Sequence, residues 1–145
     1  MMQKDNRTIA FVCTGTTCRS PRAEAMFNDM AEKTGVCVRA ESFGIATSTG
    51  LPVSENSVIA CKEIGIDLSG KASTAVADAG IEKYEKFYCM SQSHAKMLMQ
   101  FFLVQPEKIA VLGISDPYGG DIEVYRHCRD EIVNSVKEIL KAYEN

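Results

Sequence analysis

An α/β fold, a single-domain open four-stranded parallel sheet with helices on both faces, is what this sequence predicts, on three observations. Four short apolar runs alternate with amphipathic stretches along the chain, the pattern of parallel strands joined by right-handed helical crossovers. The first run, Thr8-Ile9-Ala10-Phe11-Val12, is continuous in apolar residues after its first position, as in a strand covered on both faces. No repeat, linker or low-complexity tract divides the 145 residues, so one domain spans 1–145 and is large enough for a real core.

Each element follows from its own pattern. The first strand covers 8–12. From Pro21 to about Lys33, residues Ala23, Met26, Phe27, Met30 and Ala31 fall at helical spacing, leaving Arg22, Glu24, Asn28, Asp29 and Glu32 for the opposite face. Gly35 stops that helix, and 36–42 alternates as a half-exposed second strand at a sheet edge. Residues 44–52, rich in Gly, Ser and Thr, read as a loop before a helix over 54–63 that Gly65 ends. A polar connection over 66–71 leads to a short helix over 75–83, interrupted by Gly80. The third strand is 87–90. Ser91 or Ser93 caps the next helix, whose core face is Ala95, Leu98, Met99, Phe102 and Leu103. Pro106 ends it, 108–112 is the fourth strand, and the loop 113–120 enters a long last helix that buries Ile122, Tyr125, Cys128, Ile132, Val136 and Ile139.

Composition excludes several functions. The hydrophobic content of 46% and charged content of 24% are those of a soluble globular protein. A net charge of −3 offers no general attraction to nucleic acid or anionic membrane, so attraction for a substrate must be local. No segment reads as a signal peptide or membrane span, and a cytoplasmic location is expected. The cysteines at 13, 18, 37, 61, 89 and 128 lie mostly within apolar segments, which suits reduced thiols; Cys37, Cys61, Cys89 and Cys128 read as small core residues. His94 and His127 read as surface or capping residues.

The chemistry gathers at Cys13-Thr14-Gly15-Thr16-Thr17-Cys18-Arg19-Ser20-Pro21, directly behind the first strand. Small residues and one glycine let the backbone curl with its N–H groups turned inward, a nest that favours an anion. Ser20 at an N-cap and Pro21 at the first helical position add a helix N-terminus to the cradle. A free thiol titrates at about 8.5, so an attacking cysteine needs its thiolate stabilised; the nest, Arg19 and a hydrogen bond from Ser20 would do this for Cys13. Arg19 offers a planar fork to two phosphoryl oxygens. Asp116 also lies just past a strand end, so the topology puts its loop on the same sheet edge, where ligands bind in such folds. A carboxyl there can protonate a leaving group and then take a proton from the hydrolytic water. No metal or other cofactor is required, since arginine and amides carry the charge. Cys13 and Cys18 alone would also suit half a zinc site, which no further cysteine pair or histidine spacing completes, or a reversible protective disulfide.

Cys-x5-Arg-Ser-Pro near the start, with Asp116-Pro117-Tyr118-Gly119 before the last helix, resembles the low-molecular-weight protein tyrosine phosphatase family over nearly the whole chain. The resemblance implies Cys13 as nucleophile, Arg19 as phosphate clamp, Ser20 as partner of the thiolate and Asp116 as general acid. It further implies Thr14, Gly15, Thr16, Thr17 and Cys18 as the phosphate-binding loop and Tyr118 as the aromatic wall of the substrate cleft. The expected substrate is a phosphorylated protein, with inorganic phosphate as product. Where the family usually has asparagine this chain has Thr16, a β-branched residue that disfavours positive φ. The family's loop is also supported by a serine that Ser42 resembles and by a His or Arg that Lys71-Ala72-Ser73 lacks, so that network is expected to be rebuilt. Thr17 is the residue of the similar bacterial protein arginine phosphatases, while tyrosine-specific members carry an aliphatic residue there. Phosphoarginine and phosphotyrosine both stay open. A phosphate-binding pseudoenzyme and an arsenate reductase are the alternatives, the latter needing a disulfide relay for which Cys89 lacks a nearby partner.

Overall fold

The computed structural model describes residues 7–14, 19–47, 49–117 and 119–144. Strands β1 (Arg7–Cys13), β2 (Val38–Gly44), β3 (Lys86–Cys89) and β4 (Ile109–Val111) form one sheet in the order β2-β1-β3-β4, with every pairing parallel. Helices α1 (Arg19–Thr34), α2 (Glu55–Lys62), α3 (Val76–Ala79), α4 (Gln92–Phe101) and α5 (Ile122–Tyr143) connect and follow them. The fold class is therefore the expected one, and β2 is an edge strand as its alternation predicted. Among the described residues no helix is long and apolar enough to cross a membrane.

Alternate residues of the strands feed two cores. Ile9, Phe11 and Cys13 of β1 with Tyr88 and Met90 pack beneath α1 and α5, where Phe11 stacks against Tyr88 at 5.8 Å and Phe27 at 6.2 Å. Ala10 and Val12 with Phe87 and Cys89 face the other way, against Phe43, Tyr84 and the buried face of α4. Each buried aromatic or aliphatic side chain contributes roughly 1.5–3 kcal/mol against exposure, so both faces hold the central strands rigidly in place.

Several details differ from expectation; Ser20, expected at the N-cap of α1, lies inside its first turn, and Ile122 of α5 is only half-buried. Arg22, assigned by helical periodicity to the outer face of α1, is fully buried, because the first turn of that helix is covered by α5 as well as by the sheet. Its Nη1 donates to the Tyr125 carbonyl at 2.8 Å, its Nη2 to Cys128 Sγ at 3.1 Å, and its guanidinium lies over the Tyr125 ring. Leu103, expected on the core face of α4, is 82% exposed, since the helix stops at Phe101 and Leu103 adopts a left-handed φ of 56°. Cys37, expected in the core, precedes the edge strand and is exposed. His94, read as a surface or capping residue, does cap α4 but is 3% exposed. The interrupted helix over 75–83 is resolved as α3, a left-handed Gly80 with φ 72°, and a short 3-10 turn.

Candidate active site

β1 ends at Cys13, 2% exposed, at the carboxyl edge of the sheet. The backbone around it is fixed by the chain that follows β2: the Cys13 carbonyl accepts from Ile45 N at 2.9 Å, and the Thr14 carbonyl from Ala46 N at 3.0 Å. Gly15, Thr16, Thr17 and Cys18, predicted to form the phosphate-binding loop, lie outside the described residues, as does Tyr118. On the far side of that loop α1 begins with Arg19 and Ser20, both buried. Cys13 thus closes the central strand and Arg19 and Ser20 open a helix, with residues 15–18 between them; the first backbone N–H groups of a helix and its dipole favour an anion.

Arg19 reaches from this junction to the second loop. Its Nη1 donates to the Ile114 carbonyl at 2.9 Å, and its Nη2 lies 3.8 Å from Asp116 Oδ2. The guanidinium side chain is 8% exposed and the Asp116 side chain 60%, so the arginine is built into the protein while the carboxyl faces solvent. The two motifs, about a hundred residues apart in sequence, therefore meet. The Ser20 hydroxyl is fully buried and has no hydrogen-bond partner among the described residues, Cys13 included; the expected bond to the thiol is not formed in this arrangement.

The Asp116 loop is tethered at both ends. Ile114 N donates to the Met90 carbonyl at 2.9 Å, continuing the direction of β4 beyond the left-handed Gly113. Ser115 Oγ donates to Glu131 Oε1 at 2.9 Å, and Cys128 Sγ donates to the Ser115 carbonyl at 3.4 Å. Burial pushes the Cys128 thiol up, so it keeps the proton it donates. Beyond the loop, Asp121 caps α5 by accepting from Val124 N at 3.1 Å. A Cβ at Gly120 would sit 2.8 Å from the Val124 side chain, which explains a glycine there.

Sequence reasoning missed a buried histidine. His94 Nε2 lies 2.7 Å from Thr14 Oγ1, while its Nδ1 receives Ser91 N at 3.1 Å. Because Nδ1 accepts a backbone N–H, the proton of the neutral ring sits on Nε2, which donates to Thr14. Burial above all, with Arg19 nearby, pushes the His94 pKa down to about 4, Asp116 opposing weakly. The only sequence signal was the Ser91 and His94 spacing of a capping box. Ser42 Oγ donates to Glu24 Oε1 at 2.6 Å and Lys71 pairs with the other Glu24 oxygen; the loop that this network was expected to support lies outside the described residues. Arg22 anchors α1 to α5 through Tyr125 and Cys128.

A family model described as low molecular weight phosphotyrosine protein phosphatase matches residues 8–145. The chain belongs to that family. It is 31% identical over 142 residues to a protein-arginine-phosphatase of Bacillus subtilis, covering 92% of this chain and 94% of that one. A protein-arginine-phosphatase of Geobacillus stearothermophilus is 33% identical over 142 residues, with 92% and 93% covered. Among solved structures, a mutant of the YwlE arginine phosphatase with a phosphorylated active-site serine superposes with a TM-score of 0.88 at 30% identity, covering 93% of this chain and 94% of that one.

Proposed function

We propose that this protein is a cysteine-dependent phosphatase that removes phosphoryl groups from phosphorylated proteins, with phosphoarginine as the favoured substrate and phosphotyrosine as the competing one. The observation that carries the reading is Arg19, buried at the start of the helix that follows the Cys13 strand and held between the Ile114 carbonyl and Asp116. A rigid guanidinium at that point can clamp the phosphoryl oxygens and stabilise the charge of an in-line transition state without reorganising. Cys13 thiolate attacks phosphorus, forming an S–P bond as the N–P or O–P bond of the substrate breaks. Asp116 gives its proton to the departing guanidine nitrogen or phenolic oxygen. Water then attacks phosphorus and loses a proton to Asp116, the S–P bond breaks, and inorganic phosphate and the thiolate are regenerated. The unpartnered Ser20 hydroxyl is suited to donate to Cys13 once the sulfur is ionised. The phosphorylated active-site serine of the related YwlE mutant supports a covalent intermediate at the equivalent step.

Phosphoarginine is favoured by the likeness to two protein-arginine-phosphatases and by Thr17 at the loop position noted in the sequence. An arsenate reductase would need a relay of thiols extending beyond Cys13 and Cys18, the second of which lies outside the described residues. Cys89 packs in the core on the opposite face of the sheet, and burial pushes its pKa up to about 12. The deciding experiment compares kcat/KM for phosphoarginine and phosphotyrosine peptides in the wild type and Thr17→Ile, with Cys13→Ser as control. A phosphoarginine preference that shifts toward phosphotyrosine in Thr17→Ile is the expected result. Unchanged preference removes Thr17 as the selector, and turnover equal to the Cys13→Ser control removes the phosphatase reading.

A further inference from the structure

The His94 imidazole has two jobs to choose between. As a cap for α4 it needs only Nδ1, which accepts from Ser91 N. Its other nitrogen is committed at 2.7 Å to the hydroxyl of Thr14, the residue that follows Cys13 and opens the phosphate loop. His94 is 3% exposed, yet Thr14 is exposed, so a rigid interior group holds a hydroxyl that a bound anion can reach.

We propose that His94 is a positioning residue of the phosphate loop, acting through Thr14. By donating from Nε2 it makes the Thr14 oxygen an acceptor, so the hydroxyl proton is turned away from the ring and toward the anion held beside Cys13. One further donor is thereby aimed at the phosphoryl group, and the side chain at the entrance to the loop is fixed in one rotamer. The ring stays neutral for this purpose; a second positive charge beside Arg19 is disfavoured by burial. Among the described residues, Thr14 after β1, Ser91 from the α4 start, Arg19 from α1 and Asp116 from the second loop are the polar and charged groups that act on it. This inference rests on the phosphatase reading for its kinetic consequence but not for its geometry.

A double-mutant cycle on aryl phosphate hydrolysis tests it, combining His94→Ala with Thr14→Val. His94→Ala is expected to lower kcat roughly tenfold with KM within about twofold, the signature of lost positioning rather than lost binding. Thr14→Val is expected to give a similar loss, and adding His94→Ala to it to cost nothing more. His94→Gln, whose amide can still donate to Thr14, is expected to recover most of the rate. Multiplicative losses, or a Gln variant as slow as the Ala variant, would overturn the proposal and leave His94 a helix cap. The readout that does not depend on turnover is nitrogen NMR of labelled histidine in the intact protein. The Nε2–H tautomer of His94, with a resonance that moves in Thr14→Val, supports the contact even if the wild type proves inactive; an Nδ1–H tautomer, or a resonance indifferent to Thr14→Val, overturns it.

Discussion

The two loops at the carboxyl edge of the sheet are held in opposite ways. The flanks of the phosphate loop are interior: Cys13, Arg19 and Ser20 are all at most 6% exposed, and the backbone of Cys13 and Thr14 is locked to residues 45 and 46. The second loop presents Asp116 with its side chain 60% exposed and 3.8 Å from Arg19, and the backbone on either side is held through Ile114, Ser115 and the α5 cap. The difference follows from what each must do. Groups that stabilise developing charge work best when fixed in a water-poor setting, where they need no rearrangement. A group that hands a proton to a leaving group and takes another from water must remain reachable by both.

The largest break in this comparison is expected at Arg19, which touches both loops. Arg19→Lys keeps a charge but loses the planar fork, and with it either the Ile114 carbonyl or the phosphoryl group; kcat/KM on an aryl phosphate is expected to fall by about 10²–10³. Next comes Asp116→Asn. It removes the proton donor without burying anything, so hydrolysis of substrates with poor leaving groups is expected to slow by roughly 10² while activated aryl phosphates lose much less. An equal loss on both would mean that Asp116 acts only by charge on Arg19.

The interior side of the comparison is also visible in acid. Histidine ordinarily titrates near 6.5, and in the fold His94 is held to about 4. Between these values the unfolded chain binds the proton and the folded one does not. Stability is therefore intact above about pH 6.5 and declines as pH falls toward 4, by up to on the order of 3 kcal/mol, levelling off below. Denaturant unfolding across this window is expected to show a shallower pH slope in His94→Gln than in the wild type. The smallest effect is expected on the exposed side. Ser115→Ala removes one tether of the acid loop, a single hydrogen bond worth about 1 kcal/mol or less, so kcat is expected to drop about two- to fivefold with unfolding nearly unchanged.

Much of this arrangement was legible in the residues. A continuous apolar run before Cys13 placed the thiol at the end of a central strand, Ser20-Pro21 located the helix start, though Ser20 lies within the first turn and not at the cap, and the strand ending near Leu112 put Asp116 on the same edge. Each is a local pattern that the chain itself enforces. What was not legible depends on packing between distant elements. Helical spacing sends Arg22 outward, but α5 covers that side and supplies a carbonyl and a sulfur to receive it. The spacing of Ser91 and His94 announces a cap, yet nothing near them in sequence says that Thr14 lies against the other ring nitrogen, 80 residues away. Leu103 continues the apolar period of α4 after the helix itself has stopped.

The most direct test of a two-step reaction on this edge is to catch the phosphoryl group between the steps. Asp116→Asn, mixed with an activated aryl phosphate and quenched in acid within the first turnovers, should carry phosphate on the peptide that contains Cys13, as read by mass spectrometry, and Cys13→Ser, Asp116→Asn should carry none on sulfur. Phosphate released in a burst-free reaction with Cys13 never labelled, or a label on another residue, would contradict the mechanism.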